Sequence, residues 1–266
     1  MEHRAALLAS KGFIVLALAF FDYEDLQESL ETPLQLEYFL EAVEWLANRD
    51  DVLSNGIGAV GVSLGGTLVA LLATFSPHVA AAVWINGDHQ VDAYNPIEYQ
   101  GKLWPLAGQH IDVADLDFRD GVLHYIAVKK DMPTVPESVF PIETSVRPSH
   151  FLFLVSEDDQ DMCSAQSAQI LIDRLERAGM KQNYALLSYP NSGHLLDVPY
   201  MPHCAMSWHR VVGGCMAWGG RAEWHNAAQE DSWKKMQAFL TASLGQPAKL
   251  PPLTTALRQN VSLSKL

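Results

Sequence analysis

The pentapeptide Gly61-Val62-Ser63-Leu64-Gly65 sets a serine between two glycines at a spacing suited to nucleophilic catalysis. Glycines there let the backbone make a tight, strained turn that lifts a serine hydroxyl off the end of a strand and onto the start of a helix. The helix N-terminus beside it would favour developing negative charge. Leu64, the residue after the serine, would offer its backbone N–H as one oxyanion donor. The same pattern also fits a glycine-rich phosphate loop or a plain tight turn. A serine nucleophile needs a base, and the base an orienting acid, in chain order Ser, then Asp or Glu, then His behind a turn of this kind. Asp158 and Asp159 follow the apolar run Phe151 to Val155, with Asp159 the first choice and Asp158 the alternative. Either could instead cap the helix expected to begin at Ser164. Of ten histidines, His194 alone sits in a Gly-containing loop, Pro190-Asn191-Ser192-Gly193-His194, directly after a run of strand length. A neutral imidazole there could take the Ser63 proton and pass it to a leaving group. His203, His209 and His225 come later and lack the spacing of a metal site, so no metal and no cofactor is expected.

Elements able to hold these residues can be read from the pattern. Residues 3 to 11 suit a short helix, and the continuous apolar run Phe13 to Phe20 suits a strand covered on both faces. Thr32, Pro33 and Gln35 supply an N-cap, a first-turn proline and a capping-box partner. They precede an amphipathic helix in which Leu36, Phe39, Leu40, Val43, Leu46 and Ala47 recur at helical spacing. Strands are expected at Ile57 to Val62, Val79 to Ile85, Phe151 to Val155 and Tyr184 to Ser188. Helices are expected at Leu64 to Phe75, Ser164 to Ala178 and Ala227 to Leu244. Residues 88 to 147 break the rhythm and read as an irregular insertion over the site. Alternating strands and helices imply an α/β fold with a mostly parallel sheet and helices on both faces.

Composition narrows the function. The 266 residues are 48% apolar and carry a formal charge of -13, with no basic stripe, which argues against binding nucleic acid through its phosphates. Cys163, Cys204 and Cys215 form no C-x-x-C pair, so neither a disulfide framework nor a thiolate zinc site is expected, and a reducing compartment fits. The run Phe13 to Phe21 is too short to span a bilayer. Lys11 and Gly12 interrupt it as a signal peptide. The chain ends in Ser264-Lys265-Leu266, the tripeptide read by the peroxisomal import receptor. It is carried on a Pro-containing stretch, 245 to 266, expected to be an extended tail.

Several stretches taken together resemble the C-terminal catalytic domain of the acyl-CoA thioesterase and bile acid-CoA:amino acid N-acyltransferase family. They are Arg4 to Gly12, Phe21-Asp22-Tyr23, Leu36 to Phe39, Gly58 to Gly66, Phe151 to Val155 with Asp158-Asp159, Tyr189-Pro190 with Gly193-His194, Pro199-Tyr200, Trp218-Gly219-Gly220, and Ala228-Gln229 to Trp233. The resemblance implies an α/β-hydrolase domain over 1 to 244 and a triad of Ser63, Asp159 and His194. In that reading, serine attacks the thioester of an acyl-CoA and water releases the acyl group. Peroxisomal members exist in this family. The bile-acid conjugating branch resembles the rest but has cysteine where this chain has Ser63. Relative to the family pattern, the chain is expected to lack the N-terminal β-sandwich and the first strands. It would also lack the strand between Phe13 to Phe20 and Ile57 to Val62, and the loop that gives the second oxyanion donor. Losing such a donor costs about 100- to 1000-fold in turnover. A catalytically impaired truncated form acting as a binding module, an N-acyltransferase and a generic carboxylesterase are the alternatives.

Overall fold

The computed structural model describes residues 2–20, 23–24, 26, 33–92, 95–107, 116–210 and 212–246. In chain order its elements are α1 (Glu2–Ala9), β1 (Leu34–Gln35), α2 (Leu36–Ala47), β2 (Ile57–Val62), α3 (Leu64–Phe75), β3 (Val79–Ile85), β4 (Ile97–Tyr99) and β5 (Lys102–Leu103). They continue with β6 (Phe118–Arg119), β7 (Val122–Leu123), α4 (Ile126–Asp131), β8 (His150–Ser156), α5 (Ser164–Arg177), β9 (Tyr184–Tyr189), β10 (Met206–His209), β11 (Gly214–Ala217) and α6 (Ala222–Leu244). The central sheet runs β2-β3-β8-β9, and each neighbouring pair is parallel.

Parallel neighbours must be joined by crossovers; α3 joins β2 to β3 and α5 joins β8 to β9 on one face, while α1 and α6 cover the other. Side chains alternate across a strand. Ala82 and Trp84 of β3 and Phe151 and Phe153 of β8 accordingly pack with residues of α2, α3 and α5. Ala81, Val83 and Ile85, with Leu152 and Leu154, pack on the other face with Leu8 of α1 and with Ala228, Met236 and Leu240 of α6. Trp84 meets Phe153 edge-on at 5.5 Å between ring centroids. This two-faced burial explains the continuous apolar runs of β3 and β8, whose inner residues are all buried.

Four expectations change. Residues 13–20 are not a strand, since among the described residues no strand of the sheets forms a ladder with them. On the near edge of the sheet, β2 is paired with β3 alone among the described residues. A cavity of about 460 Å³, lined by Phe13 and Val15 on one side and by Ile57, Ala59, Leu68 and Leu240 elsewhere, separates that edge from the 13–20 run. Apolarity made the run look like a strand, but only a hydrogen-bonded partner makes it one. The start of the second helix also moves. Leu34 and Gln35 instead pair with Ile97 and Glu98, so α2 starts at Leu36 with Gln35 as an N-cap that makes no side-chain bond; Thr32 lies outside the described residues. α6 starts five residues earlier than expected. The 88–147 insertion holds four short strands and α4, and its β7 pairs in parallel with β11 of the hairpin β10-β11. Residues 247–266, including Ser264, Lys265 and Leu266, lie outside the described residues. No described helix is long and apolar enough to cross a membrane.

A buried ion cluster ties α4 to the loop that leaves β3. Lys129 of α4 donates to Asp88 Oδ2 at 2.7 Å and to Asp92 Oδ2 at 2.5 Å, in the loop after β3. Burial alone would raise Asp88, but the Lys129 and His89 charges outweigh it and hold the carboxyl well below its usual range. Removing one partner of such a group strands the other charge in a dry environment. Lys129→Met should therefore cost about 3–5 kcal/mol of stability, read as a fall in the midpoint of urea unfolding.

Candidate functional site

All four strands of the central sheet point the same way, so their C-terminal ends share one edge, the edge where open α/β sheets place their ligands. Ser63 follows β2, Asn86 follows β3, the 158–161 turn follows β8 and His194 follows β9.

Ser63 adopts φ 58 and ψ -127, a left-handed backbone rare for a residue with a side chain. Such a conformation costs about 1–3 kcal/mol and persists only where its surroundings impose it. Its carbonyl accepts from the N–H groups of Gly66 and Thr67, which start α3, and its own N–H donates to Ile85 O at 2.9 Å. Leu64, first in the helix, has no carbonyl one turn back within α3 to bond, so its N–H is one of the helix's orphan donors. The two flanking glycines are not equivalent. A Cβ on Gly61 would lie 2.0 Å from the Gly65 carbonyl oxygen, whereas one on Gly65 would meet nothing within 4 Å.

Asp159 and His194 come together. His194 Nδ1 lies 2.8 Å from Asp159 Oδ2 in a fully buried contact. The other Asp159 oxygen accepts from the N–H groups of Asp161 and Met162 at 2.9 and 2.8 Å, and the Ser164 hydroxyl at the start of α5 donates to Oδ2. Asp159 thus holds both the imidazole and the first turn of α5. Asp158 faces elsewhere, accepting from Gly220 N–H at 3.0 Å and from the Gln160 amide. Among the described residues no hydrogen bond joins Ser63 to His194. The Nε2 atom of His194 instead lies 3.1 Å from Asp161 Oδ2, at an angle that makes this a charge contact and not a directed hydrogen bond. Burial alone would lower the imidazolium, but Asp159 and Asp161 more than offset it and lift His194 to about 9. Burial raises Asp161 to about 6 against the opposing pull of His194.

Residues not singled out from the sequence fix this geometry. Trp218 lies flat on the His194 ring, 5.7 Å between centroids and 20° apart, and its carbonyl accepts from the His194 N–H at 2.7 Å. Gly219 and Gly220 have φ of 75 and 84, and a Cβ on Gly219 would sit 2.0 Å from Asp158 O. That tight approach lets the segment touch the Asp turn and the His loop at once. His225 of α6, set aside as a candidate base, receives the Gly193 N–H on Nδ1 at 3.0 Å and lies 3.1 Å from Leu195 O through Nε2. Burial holds it below the usual histidine value, which suits a neutral ring that accepts at one nitrogen and donates at the other. His203 contacts Gly219 O at 3.1 Å, and His209 meets the Trp218 ring edge-on. The Asn86 amide bridges the Ser156 hydroxyl and the His194 carbonyl. The Trp-Gly-Gly motif was the one signal in the sequence that could have found this strap. Among the described residues no group of His, Cys, Asp and Glu is arranged to hold a metal ion.

Residues 34–246 match the family described as BAAT / acyl-CoA thioester hydrolase C terminal, and the chain belongs to that family. It is 38% identical over 247 residues to the human protein named acyl-coenzyme A thioesterase 1, covering 92% of this chain and 57% of that protein. It is also 38% identical over 257 residues to the mouse bile acid-CoA:amino acid N-acyltransferase, covering 97% and 59%. To the mouse peroxisomal succinyl-coenzyme A thioesterase it is 36% identical over 247 residues, covering 92% and 57%. The chain therefore spans little more than half the length of the curated relatives it matches.

The elbow itself can be tested. Gly61→Ala drives a Cβ into backbone, which cannot move as a flexible side chain can. It should lower the thermal midpoint steeply or prevent folding. Gly65→Ala, with open space around it and a helical position that favours alanine, should leave the midpoint unchanged or slightly raised in a differential scanning measurement.

Proposed function

We propose that this chain hydrolyses acyl-CoA thioesters to a free carboxylic acid and CoA, with Ser63 as nucleophile, His194 as general base and Asp159 as the acid that orients it. The observation that carries this reading is the strained turn holding Ser63 on the same sheet edge as the buried Asp159–His194 pair, in a chain of the thioester-hydrolase family. Ser63 Oγ attacks the thioester carbonyl while its proton passes to His194 Nε2, and the oxyanion takes a hydrogen bond from the Leu64 N–H. Collapse of the tetrahedral adduct breaks the C–S bond, and the CoA thiolate leaves with the proton from His194. Water, deprotonated by His194, then attacks the acyl-serine ester, and the acid departs as Ser63 recovers its proton. Catalytic hydrogen bonds of this kind are often long until substrate is seated, which accommodates the missing Ser63–His194 bond. No step calls for a cofactor.

Hydrolysis is preferred over transfer to an amino acid, because an acyl-serine ester is less reactive towards amines than the thioester a cysteine would form. The terminal Ser264-Lys265-Leu266 supports delivery to the peroxisome through the import receptor. A relative whose name places it in that organelle points the same way.

The test is thiol release from acyl-CoAs of graded chain length, measured on the full chain. Ser63→Ala should lower the turnover by about 10³-fold or more, the scale on which loss of a nucleophile acts. Equal rates for the two proteins would remove Ser63 from the mechanism.

A further inference from the structure

We infer that Asp161 is a positioning residue for His194: its carboxylate holds the imidazole at the ring nitrogen that must otherwise serve Ser63, and so sets the pH at which that base becomes available. The inference rests on the reading of His194 as the base and names the residue that regulates it.

The geometry puts one imidazole between two carboxylates on the same short turn. Nδ1 meets Asp159 at 2.8 Å and Nε2 meets Asp161 at 3.1 Å. The His194 side chain is 1% exposed and those of Asp159 and Asp161 are 3% and 8% exposed, so water screens these charges little. The Asp161 backbone is pinned, since its N–H donates to Asp159 Oδ1 at 2.9 Å. The ring is pinned too, by Trp218 against its face and by the Trp218 carbonyl on its backbone. The ring cannot turn from the contact without breaking its bond to Asp159.

Other charges around the pair come from four places. Lys129 of α4 and Asp92 of the loop after β3 act on Asp161 with opposite signs, and Asp159 adds a like charge. His209 of β10 faces His194. A carboxylate this close favours the imidazolium over the neutral ring. The imidazolium carries a proton on Nε2 and can take none from serine. With His194 lifted to about 9 and Asp161 to about 6, the charged pair prevails between those values. The neutral base emerges as pH rises through the upper one. Asp161 thus trades activity near neutrality for a base that is strong once deprotonated. A general base poised nearer the working pH would do better at neutral pH.

Replacing the charge isolates the effect. Asp161→Asn keeps the size of the side chain and should move the acid limb of kcat/KM for acyl-CoA hydrolysis down by about one pH unit or more, which is about a tenfold gain at the foot of the limb. A purely structural role for Asp161 would lower the rate without moving the limb. The second measurement is the NMR titration of the His194 ring in Ser63→Ala and in Ser63→Ala combined with Asp161→Asn. A titration well above the ordinary histidine value that drops when Asp161 is neutralised supports the inference. Equal titrations, or a wild-type ring that titrates near the ordinary value, overturn it. Should Asp161→Asn fail to fold, the same comparison is made with Asp161→Ser in the Ser63→Ala background, where an unchanged His194 titration overturns the inference and a lowered one supports it. If the full chain releases no CoA thiol, or Ser63→Ala releases it as fast, the thioesterase reading fails by itself, while the His194 titration continues to report on Asp161.

Discussion

Parallel pairing in the central sheet is the constraint on which everything else rests. Four strands running one way must return by crossovers; the crossover helices α3 and α5 lie over one face and α1 and α6 over the other, so β3 and β8 are apolar along their length. The same rule sends every strand end to a single edge. Ser63, Asn86, Asp159 and His194 come from stretches far apart in sequence, yet each needs only to follow its strand by a few residues to reach that edge.

Arrival at the edge does not by itself fix a side chain in place. The Trp218-Gly219-Gly220 segment does, by bonding to the Asp turn through the Gly220 N–H and to the His loop through the Trp218 carbonyl. His225 adds a second brace under the same loop. Two glycines with positive φ are needed there because a side chain would collide with the Asp158 backbone on one side and Gly193 on the other. The result is a dry, rigid pocket for one imidazole and two carboxylates, in which small distances become large shifts in protonation.

Among the described residues β2 pairs on one side only, with β3. Ile57 and Ser63 turn their N–H groups towards β3, so the alternate residues Gly58, Val60 and Val62 turn theirs towards the cavity beside the 13–20 run. Ile57, Ala59 and Leu68 beside that cavity are buried, whereas Ile14 and Leu16 of the 13–20 run are exposed.

Much of the sheet could be read directly from the chain. Ile57 to Val62, Leu64 to Phe75 and Val79 to Ile85 have the boundaries their glycines and apolar runs suggest, since local spacing determines which face of each element is apolar. The serine turn could be read for the same reason: two glycines at fixed spacing encode a backbone shape without help from elsewhere. What depended on distant partners could not be read. The apolarity of Phe13 to Phe20 is a property of the residues, but being a strand requires a neighbour. The β10-β11 hairpin is recognisable only beside β7, and α2 begins at Leu36 because Ile97 and Glu98 claim Leu34 and Gln35. So the sequence by itself determined the types and order of the elements and a short set of chemical candidates. Only the tertiary structure decided that Asp159 faces His194 while Asp158 faces Gly220, and that Asp161 occupies the other side of the ring. These are contacts across gaps of tens of residues, whose energies depend on distance and burial, and neither quantity exists until the chain is folded.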